Sequence, residues 1–368
     1  MRKLLGVGLG VSVLLIVGAT PAVATGASAA PGAKQAPIKA AWIYGCLRKD
    51  DRWSQAHDRG RVYVQQKLGA NVITTYKENV PEGPQAARVI DSLVRAGNKI
   101  IFATSFAYMD VMVAAAKKYP DVYFEHATGY KSSRNLANYF GAFEDVMYLS
   151  GMAAGAATKN GKVGMVVPFA IPETIRHVNA FALGVQTTHP GATIKLAWTR
   201  AWFDLAREKK AAERLVAAGV DVIGQGVDGG ATGQYAESKG IPWVGSRATA
   251  GSAAPSSWLT SGKYDWGGYY LDRTKQAANG TWKTGSYYGS LEDGFAVLEP
   301  YGPKVSPKTK ALIAAKRAAI ISGKYYEFQG PLYDQSGKLR VARGKRMTLP
   351  QILSFDWLVK GVEGSPKG

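Results

Sequence analysis

The chain has 368 residues, of which 46 are Lys or Arg, 27 are Asp or Glu and one, Cys46, is a cysteine. A single cysteine excludes an internal disulfide framework, and this length exceeds what one hydrophobic core usually supports, so two lobes are expected. The formal charge of +19 favours an anionic partner, either a nucleic acid or an anionic membrane surface.

Residues 1–30 are predicted to form a secretory signal peptide. Two basic residues precede an apolar run over residues 4–17, and Ala-x-Ala cleavage patterns follow it. The apolar run is shorter than the roughly 20 residues that span a bilayer. Cys46 lies too far beyond this run to serve as a lipid-anchor cysteine. We therefore expect an exported, periplasmic protein, for which a solvated basic face is favoured over a nucleic-acid partner.

Short β-rich runs alternate with helical patterns in the first half of the chain, which predicts a parallel sheet built from βα units. The expected strands cover residues 39–44, 71–76, 99–104, 122–126 and 138–143. The expected helices cover residues 53–68, 83–96, 108–118 and 146–158. The last of these helices is lined with small residues, which permit close packing.

The same rhythm restarts after turn residues at Asn160 and Gly161, so a second lobe of the same kind is expected. Its expected strands cover residues 162–167, 193–198, 221–224 and 242–245, and its helices 175–187, 206–218 and 232–239. A helix at 266–279 and a strand at 295–298 are expected to return to the first lobe. The predicted lobes comprise residues 38–159 and 264–300 for the N-terminal lobe, and 160–263 and 301–368 for the C-terminal lobe.

A glycine motif, G-x-G-x-x-G, lies at residues 224–229, between an expected strand and an expected helix. That context is typical of a dinucleotide-binding turn, and Arg247 is placed where it would meet a 2′-phosphate. However, no Asp or Glu ends the next strand, and an ordinary strand-to-helix turn often has this pattern. Both interpretations stay open, with the ordinary turn favoured.

No catalytic apparatus is recognisable in the sequence. The four histidines have no spacing that would place two of them on one helix face, so no metal site is expected. Neither G-x-S-x-G nor a reactive-cysteine signature occurs, and Cys46 is expected to be a small buried residue. We therefore expect a binding protein that is not an enzyme and has no cofactor.

Aromatic residues follow several of the expected strands. Trp53 and Phe106 lie after strands of the first lobe, and Phe169 and Trp202-Phe203 lie after strands of the second. The carboxyl ends of parallel strands are where α/β proteins bind ligands. Nearby polar candidates are Asp51, Ser54, Glu125, His126, Asp204 and Asp228. The pattern predicts a cleft for a planar, uncharged heterocycle, although a tryptophan such as Trp53 can also serve packing alone.

Several segments resemble the basic membrane protein family of ABC-transporter substrate-binding proteins, which includes purine nucleoside receptors. The segments that carry the resemblance are DRWSQAHDRGR, IFATSFAYMD, YFEHATGY, NYFGAFEDVMYLSGMAAGAATKNGKVGMV, WTRAWFD and DVIGQGVDG. The resemblance covers residues 38–331. It implies a two-lobed type I periplasmic binding protein, each lobe a parallel α/β sheet flanked by helices, that closes on a purine.

By this resemblance, Trp53 and Phe203 would occupy stacking positions on opposite lobes, with Phe106 beside them. Nucleoside-binding members have Gly-Val-Asp where this chain has Gly245, Ser246 and Arg247, and they have a Lys where Tyr264 stands. Both departures remove expected ribose contacts. The subgroup that this chain resembles most has the Trp-Ser, Ala-His-Asp and Trp-Gly-x-Tyr-Tyr motifs found here. Its members look like receptors for a free, adenine-like base.

The sequence thus predicts a monomeric solute-binding protein that delivers a purine base or nucleoside to an ABC permease. The residues expected to bind the ligand are Asp51, Trp53, Ser54, Phe106, Glu125, Phe169, Trp202, Phe203, Asp228 and Ser246. Two alternatives stay open: a secreted nucleotide-dependent enzyme that uses the glycine turn, and a ligand-sensing partner of a membrane receptor.

Overall fold

The structure is a computed structural model, and it describes residues 36–49, 52–246 and 254–368. The expected signal peptide and two residues discussed above, Asp51 and Arg247, lie outside the described residues.

The first stretch of the described chain alternates strands with helices. In chain order it contains β1 (Ile38–Ile43), α1 (Arg52–Leu68), β2 (Val72–Lys77), α2 (Pro84–Arg95), β3 (Ile100–Ala103), α3 (Met109–Lys118), β4 (Tyr123–Ala127), β5 (Leu136–Gly141) and α4 (Phe143–Ala157).

The alternation then repeats. The following elements are β6 (Lys162–Val167), α5 (Pro172–Thr188), β7 (Thr193–Trp198), α6 (Leu205–Ala217), β8 (Val222–Gln225), α7 (Ala231–Ser238), β9 (Trp243–Ser246) and β10 (Trp258–Tyr264). The last part of the chain contains α8 (Gly267–Ala278), β11 (Ser286–Gly289), β12 (Ala296–Leu298), α9 (Pro307–Ile321), β13 (Leu332–Tyr333), β14 (Leu339–Val341), α10 (Leu349–Leu353) and β15 (Val362–Glu363).

The two large sheets share the same order in five strands, with one further edge strand in the first sheet and two in the second. The first runs β11-β5-β4-β3-β1-β2 with every neighbouring pair parallel. The second runs β12-β10-β9-β8-β6-β7-β15, and among its strands only β12 is antiparallel to its neighbour. The predicted two-lobed α/β architecture is therefore confirmed. In each sheet the strand order reverses beside the first strand, which is where open α/β sheets form a ligand crevice.

Buried apolar runs explain why these segments are strands of a covered parallel sheet. All residues of β3 and β5 are buried, and only Lys39 of β1 is exposed. Such runs are typical of sheets with helices on both faces. On one face of the first sheet, the rings of Trp42 and Phe102 stack with centroids 4.7 Å apart. The opposite face belongs to a second cluster that also contains α2 and α3.

Two elements join a different sheet from the one expected. Helix α4 packs against α5 and β10, so it lies with the second sheet, although it was assigned to the first lobe. Strand β12, which was expected in the first lobe, pairs with β10 and also lies in the second sheet. Helix α8 returns to the first lobe, as expected, and β11, which the sequence did not predict, pairs with β5 of the first sheet. The ranges of the two lobes as domains otherwise stay a prediction.

Small residues allow α4 and α5 to approach closely, as the sequence indicated. A Cβ atom added at Gly151 would collide with the backbone of Phe181, and one added at Gly184 would collide with the backbone of Tyr148. The glycines are required here because the two helix backbones nearly touch.

Candidate functional site

A cavity of about 310 Å³ lies between the two lobes, at the carboxyl edges of the strands. Its walls come mainly from segments that follow β1, β2 and β3 in the first sheet. The lining residues of the first lobe are Gly45, Cys46, Trp53, Ser54, Val80, Pro81, Glu82, Thr104, Ser105, Phe106 and Thr128. The lining residues of the second lobe are Glu173, Trp202 and Asp228.

Trp53 lies in the first turn of α1, where it is half-buried. Its Nε1 donates a hydrogen bond to the backbone oxygen of Thr104, 2.6 Å away at the end of β3. Its ring also meets Trp266 in an edge-to-face contact, with centroids 5.3 Å apart. Trp53 therefore both packs against the first lobe and lines the cleft, so the two interpretations of this residue are not exclusive.

A buried histidine supports Trp53 from the lobe interior. His57 lies under the Trp53 ring with centroids 4.5 Å apart, stacks on Trp266 at 4.1 Å, and shares a 2.5 Å hydrogen bond with the Tyr270 hydroxyl. Burial lowers the pKa of His57 well below its ordinary value, so the imidazole is neutral at pH 7. This packing holds the indole in one orientation.

The loop that follows β3 forms another wall of the cleft. Phe106 is 40% exposed there, in a single 3₁₀ turn over residues 106–108. The backbone oxygen of Ser105 lies 2.7 Å from Nε2 of buried His126, and burial lowers the pKa of that histidine to about 4. His126 therefore supports the loop from beneath as a neutral group.

Three carboxylate residues line the cavity, together with four Ser and Thr residues. Glu82 follows β2 and accepts a 2.8 Å hydrogen bond from the Ser105 hydroxyl. Glu173 lies in the first turn of α5, and Asp228 follows β8. Because carboxylates only accept hydrogen bonds when ionised, this lining favours a ligand that presents N–H or O–H donors.

Arg52 provides an electrostatic link between the lobes. Burial lowers the pKa of this arginine, and carboxylates of the second lobe, those of Glu208, Asp228 and Glu299, act in the opposite direction. Arg52 belongs to α1 of the first lobe. This cation of the first lobe therefore interacts electrostatically with carboxylates of the second lobe.

The structure brings five of the expected residues to the cavity: Trp53, Ser54, Phe106, Trp202 and Asp228. Their role in ligand binding stays a prediction.

Three expected residues of the second lobe lie off the cavity wall. Phe169 does not line the cavity but packs against Trp202, which does, with ring centroids 5.5 Å apart. Phe203 is half-buried and is not part of the lining. Ser246 is fully buried and faces a separate small cavity that it shares with Thr174. Direct ligand contact by Phe169, Phe203 and Ser246 stays a prediction, although none of the three lines this cavity.

Glu125 has a different environment from the one expected. Its carboxylate is fully buried and accepts hydrogen bonds from Tyr269 (2.7 Å), Arg273 (2.5 Å) and Trp282 (2.7 Å). The reason is its place in the middle of β4, where side chains project from the face of the sheet rather than from its carboxyl edge. Glu125 therefore joins α8 to the first sheet.

The glycine turn at residues 224–229 has its helix N-terminus already occupied. The carboxylate of Glu208 is buried there and accepts a 2.9 Å hydrogen bond from the backbone N–H of Gly229, just before α7. A phosphate would need the same donors. The dinucleotide interpretation is therefore not supported, and the turn connects a strand to a helix.

Sequence reasoning missed several lining residues. Val80, Pro81 and Glu82 follow the second strand, and Thr128 follows the fourth, so they share the positional signal that singled out the aromatic residues. Cys46 also lines the cleft and is half-buried rather than buried. These side chains are of types common in ordinary loops, so only their position after a strand indicates that they face the cleft.

In the described part of the chain, no helix has both the length and the apolar character needed to cross a membrane. Across residues 36–49, 52–246 and 254–368, the His, Cys, Asp and Glu side chains form no group of three suited to hold a metal ion.

A family model and two curated relatives match most of the chain. The family model described as Bmp, ABC transporter substrate-binding protein PnrA-like, matches residues 38–322. A purine-binding protein of Brucella abortus is 37% identical over 326 residues, which cover 89% of this chain and 93% of that protein. A putative ABC transporter glucose-binding protein of Haloferax volcanii is 34% identical over 327 residues, 89% of this chain and 81% of that protein.

A solved structure shows the same fold. A solute-binding protein of an ABC transporter system from Conexibacter woesei superposes with a TM-score of 0.65 at 22% identity, covering 78% of this chain and 98% of that chain.

Proposed function

The chain belongs to the PnrA-like (Bmp) family of ABC transporter substrate-binding proteins, and from that premise we propose that it binds an adenine-like purine base between its lobes. Members of this family bind a solute for an ABC permease, work in the periplasm or outside the cell, and are not enzymes. The open question is the identity of the solute.

The observation that carries the proposal is the pair of tryptophans on opposite walls of one cavity. Trp53 comes from the first lobe and Trp202 from the second. Trp53 is held by its hydrogen bond to Thr104 and by the ring contacts behind it. Base stacking on an aromatic side chain contributes roughly 1 to 3 kcal/mol, and a preorganised ring loses little freedom when the ligand arrives.

The size of the cavity supports a free base over a nucleoside. Its volume of about 310 Å³ is at the lower end of the roughly 300 to 1,000 Å³ that is usual for ligand pockets. Tyr264 stands where nucleoside-binding relatives are expected to have a Lys that contacts ribose, and it is buried here. These observations favour a ligand without a sugar.

The acidic lining supports a base that presents N–H donors, as adenine does. Glu82, Glu173 and Asp228 line the cavity, and ionised carboxylates accept hydrogen bonds from N–H groups. Adenine presents an exocyclic amino group and a ring N–H, which fit such acceptors.

Closure of the lobes would couple binding to delivery. A ligand that contacts both walls favours the closed form by its higher affinity for that form. A permease, or a sensing receptor in the alternative role, would then recognise the closed form.

The test is a thermal-shift and calorimetric titration of the exported chain with adenine, guanine, hypoxanthine, adenosine and glucose. A ligand at about 100 times its Kd should stabilise the folded state by about 2.7 kcal/mol. We expect adenine to give the largest shift. The Haloferax volcanii relative makes glucose the main counter-ligand. A response to glucose without a response to any purine would contradict the proposal, and tighter binding of adenosine than of adenine would contradict the preference for a free base.

A further inference from the structure

The strongest concentration of positive charge lies far along the chain, in two segments that cover the second lobe. The first segment is α9 and the second is residues 338–354. We call the two segments together the basic layer. Helix α9 packs on α4, α10 packs on α5, and α4 and α5 pack on each other. Both segments therefore rest on the same helix pair.

Helix α9 is unusually exposed for a helix of its length. Only Thr309 and Ile313 are buried among its 15 residues. Its sequence, PKTKALIAAKRAAII, has four cations and no acidic residue. Leu312 is 48% exposed on it. A basic helix that leaves apolar side chains in solvent is typical of a helix that lies on a membrane surface.

Residues 338–354 have the same character. They contain the cations Lys338, Arg340, Arg343, Lys345 and Arg346 and no acidic residue. Their exposed apolar side chains are Leu339 (47%), Leu349 (43%) and Leu353 (43%).

Nearby acidic groups do little to balance this charge. Residues 304–346 contain eleven Lys or Arg, against two acidic residues, Glu327 and Asp334. Glu327 is buried, and Asp334 accepts hydrogen bonds from its own turn at Ser336 and Lys338. Among the cations of the basic layer, Arg340 pairs with Asp334 at 3.3 Å and with Asp356 at 3.8 Å. The basic layer is therefore strongly positive at neutral pH.

We propose that the basic layer binds the surface of an anionic lipid bilayer. A second copy of the chain would present the same positive charge and is disfavoured. Exposed leucines among the cations favour lipid over a purely polar polyanion, because apolar side chains enter the boundary between head groups and acyl chains. Each Lys or Arg near the surface of an anionic bilayer increases the affinity for that bilayer roughly fivefold.

The test is co-sedimentation with vesicles of phosphatidylglycerol and phosphatidylcholine in equal parts, and with vesicles of phosphatidylcholine alone. The triple variant Lys338→Gln, Arg343→Gln, Lys345→Gln should bind the anionic vesicles about 100-fold less well. The matched control replaces three exposed cations of the first lobe, Lys99, Lys117 and Arg134, with Gln. It should bind within about threefold of the parent.

A second pair of measurements separates lipid from a soluble polyanion. Leu312→Ser combined with Leu349→Ser should weaken vesicle binding but leave the binding of polyphosphate unchanged, since only lipid offers an apolar boundary. Circular dichroism melting curves should show that each variant is folded.

Three outcomes would overturn the proposal: equal binding to both vesicle types, an equal loss in the first-lobe control, or binding to polyphosphate without binding to vesicles. None of these measurements depends on the identity of the solute in the cleft.

Discussion

Replacing Trp53 with Ala and, separately, with Phe tests the central feature of the cleft. The residue has two measurable roles, because its Nε1 donates to the Thr104 oxygen and its ring lines the cavity. Alanine removes both roles. Phenylalanine retains a flat ring but has no N–H group to donate.

The expected magnitudes follow from these contacts. A neutral hydrogen bond contributes about 1 kcal/mol, and truncating a fully buried tryptophan costs about 3 to 5 kcal/mol. Because Trp53 is only half-buried, Trp53→Ala should lower the free energy of unfolding by about 2 kcal/mol and Trp53→Phe by about 1 kcal/mol. Loss of stacking in Trp53→Ala should weaken adenine binding by about 1 to 3 kcal/mol, roughly 5- to 150-fold. Trp53→Phe should stay within about tenfold of the parent.

The assay combines urea unfolding of the ligand-free protein with calorimetry of adenine binding. Trp258→Ala is the matched control, since Trp258 is also half-buried and also makes one hydrogen bond, from Nε1 to the Ser261 hydroxyl at 2.9 Å. It lies at the amino end of β10 and does not line the cavity. The control should lose a similar amount of stability and retain full affinity.

One combination of results would refute the reasoning. If Trp53→Ala loses about 3 to 5 kcal/mol of stability while adenine affinity is unchanged, Trp53 is a packing residue and not a stacking platform. The proposed role of Trp202 on the opposite wall would then lose its main support.

Three further predictions concern carboxyl groups. Asp228→Asn should weaken adenine binding by about 10- to 150-fold, as expected for a charged hydrogen bond of about 1.5 to 3 kcal/mol, and calorimetry that finds unchanged affinity would exclude Asp228 from ligand recognition. Glu125→Ala should lower the free energy of unfolding by about 3 to 5 kcal/mol, because it leaves Arg273 buried without its carboxylate, and the surviving folded protein should bind adenine normally. Burial raises the pKa of Glu327 from 4.5 to about 7, so the folded protein retains a proton that the unfolded chain releases. The carboxyl of Asp145 lies beside Glu327, and its pKa is also raised by burial and by Glu327. The free energy of unfolding should therefore fall as the pH rises from about 4.5 to about 7. Urea unfolding across that range should show a fall that Glu327→Gln reduces and the exposed control Glu363→Gln leaves intact.

Local sequence pattern was sufficient for the architecture. The fully buried strands β3 and β5 are short runs of mainly apolar residues, and the helices between strands are longer segments with helical periodicity. Both signals depend only on neighbours within a few residues, so the sequence is sufficient to detect them. Repetition of that alternation predicted two similar sheets. Placing Trp53 and Phe106 after strands then predicted the edge of the sheet at which they lie, since parallel strands end on one side.

Tertiary packing decided which of the candidate groups face the cleft. Glu125 meets Tyr269, which is 144 residues away in sequence, so no local pattern distinguishes this bound carboxylate from one that faces a ligand. Glu208 reaches the N–H of Gly229 from the start of another helix and occupies the place that the glycine motif suggested for a phosphate.

The assignment of α4 and β12 to the second sheet was also decided by long-range contacts. Both elements have a composition that suits either lobe. Helix α4 packs against α5 and β10, which follow it in the chain, and β12 pairs with β10, which precedes it. Periodicity shows that an element has an apolar face, but the element that covers this face is selected by packing across the whole molecule, where shape and burial are decided together.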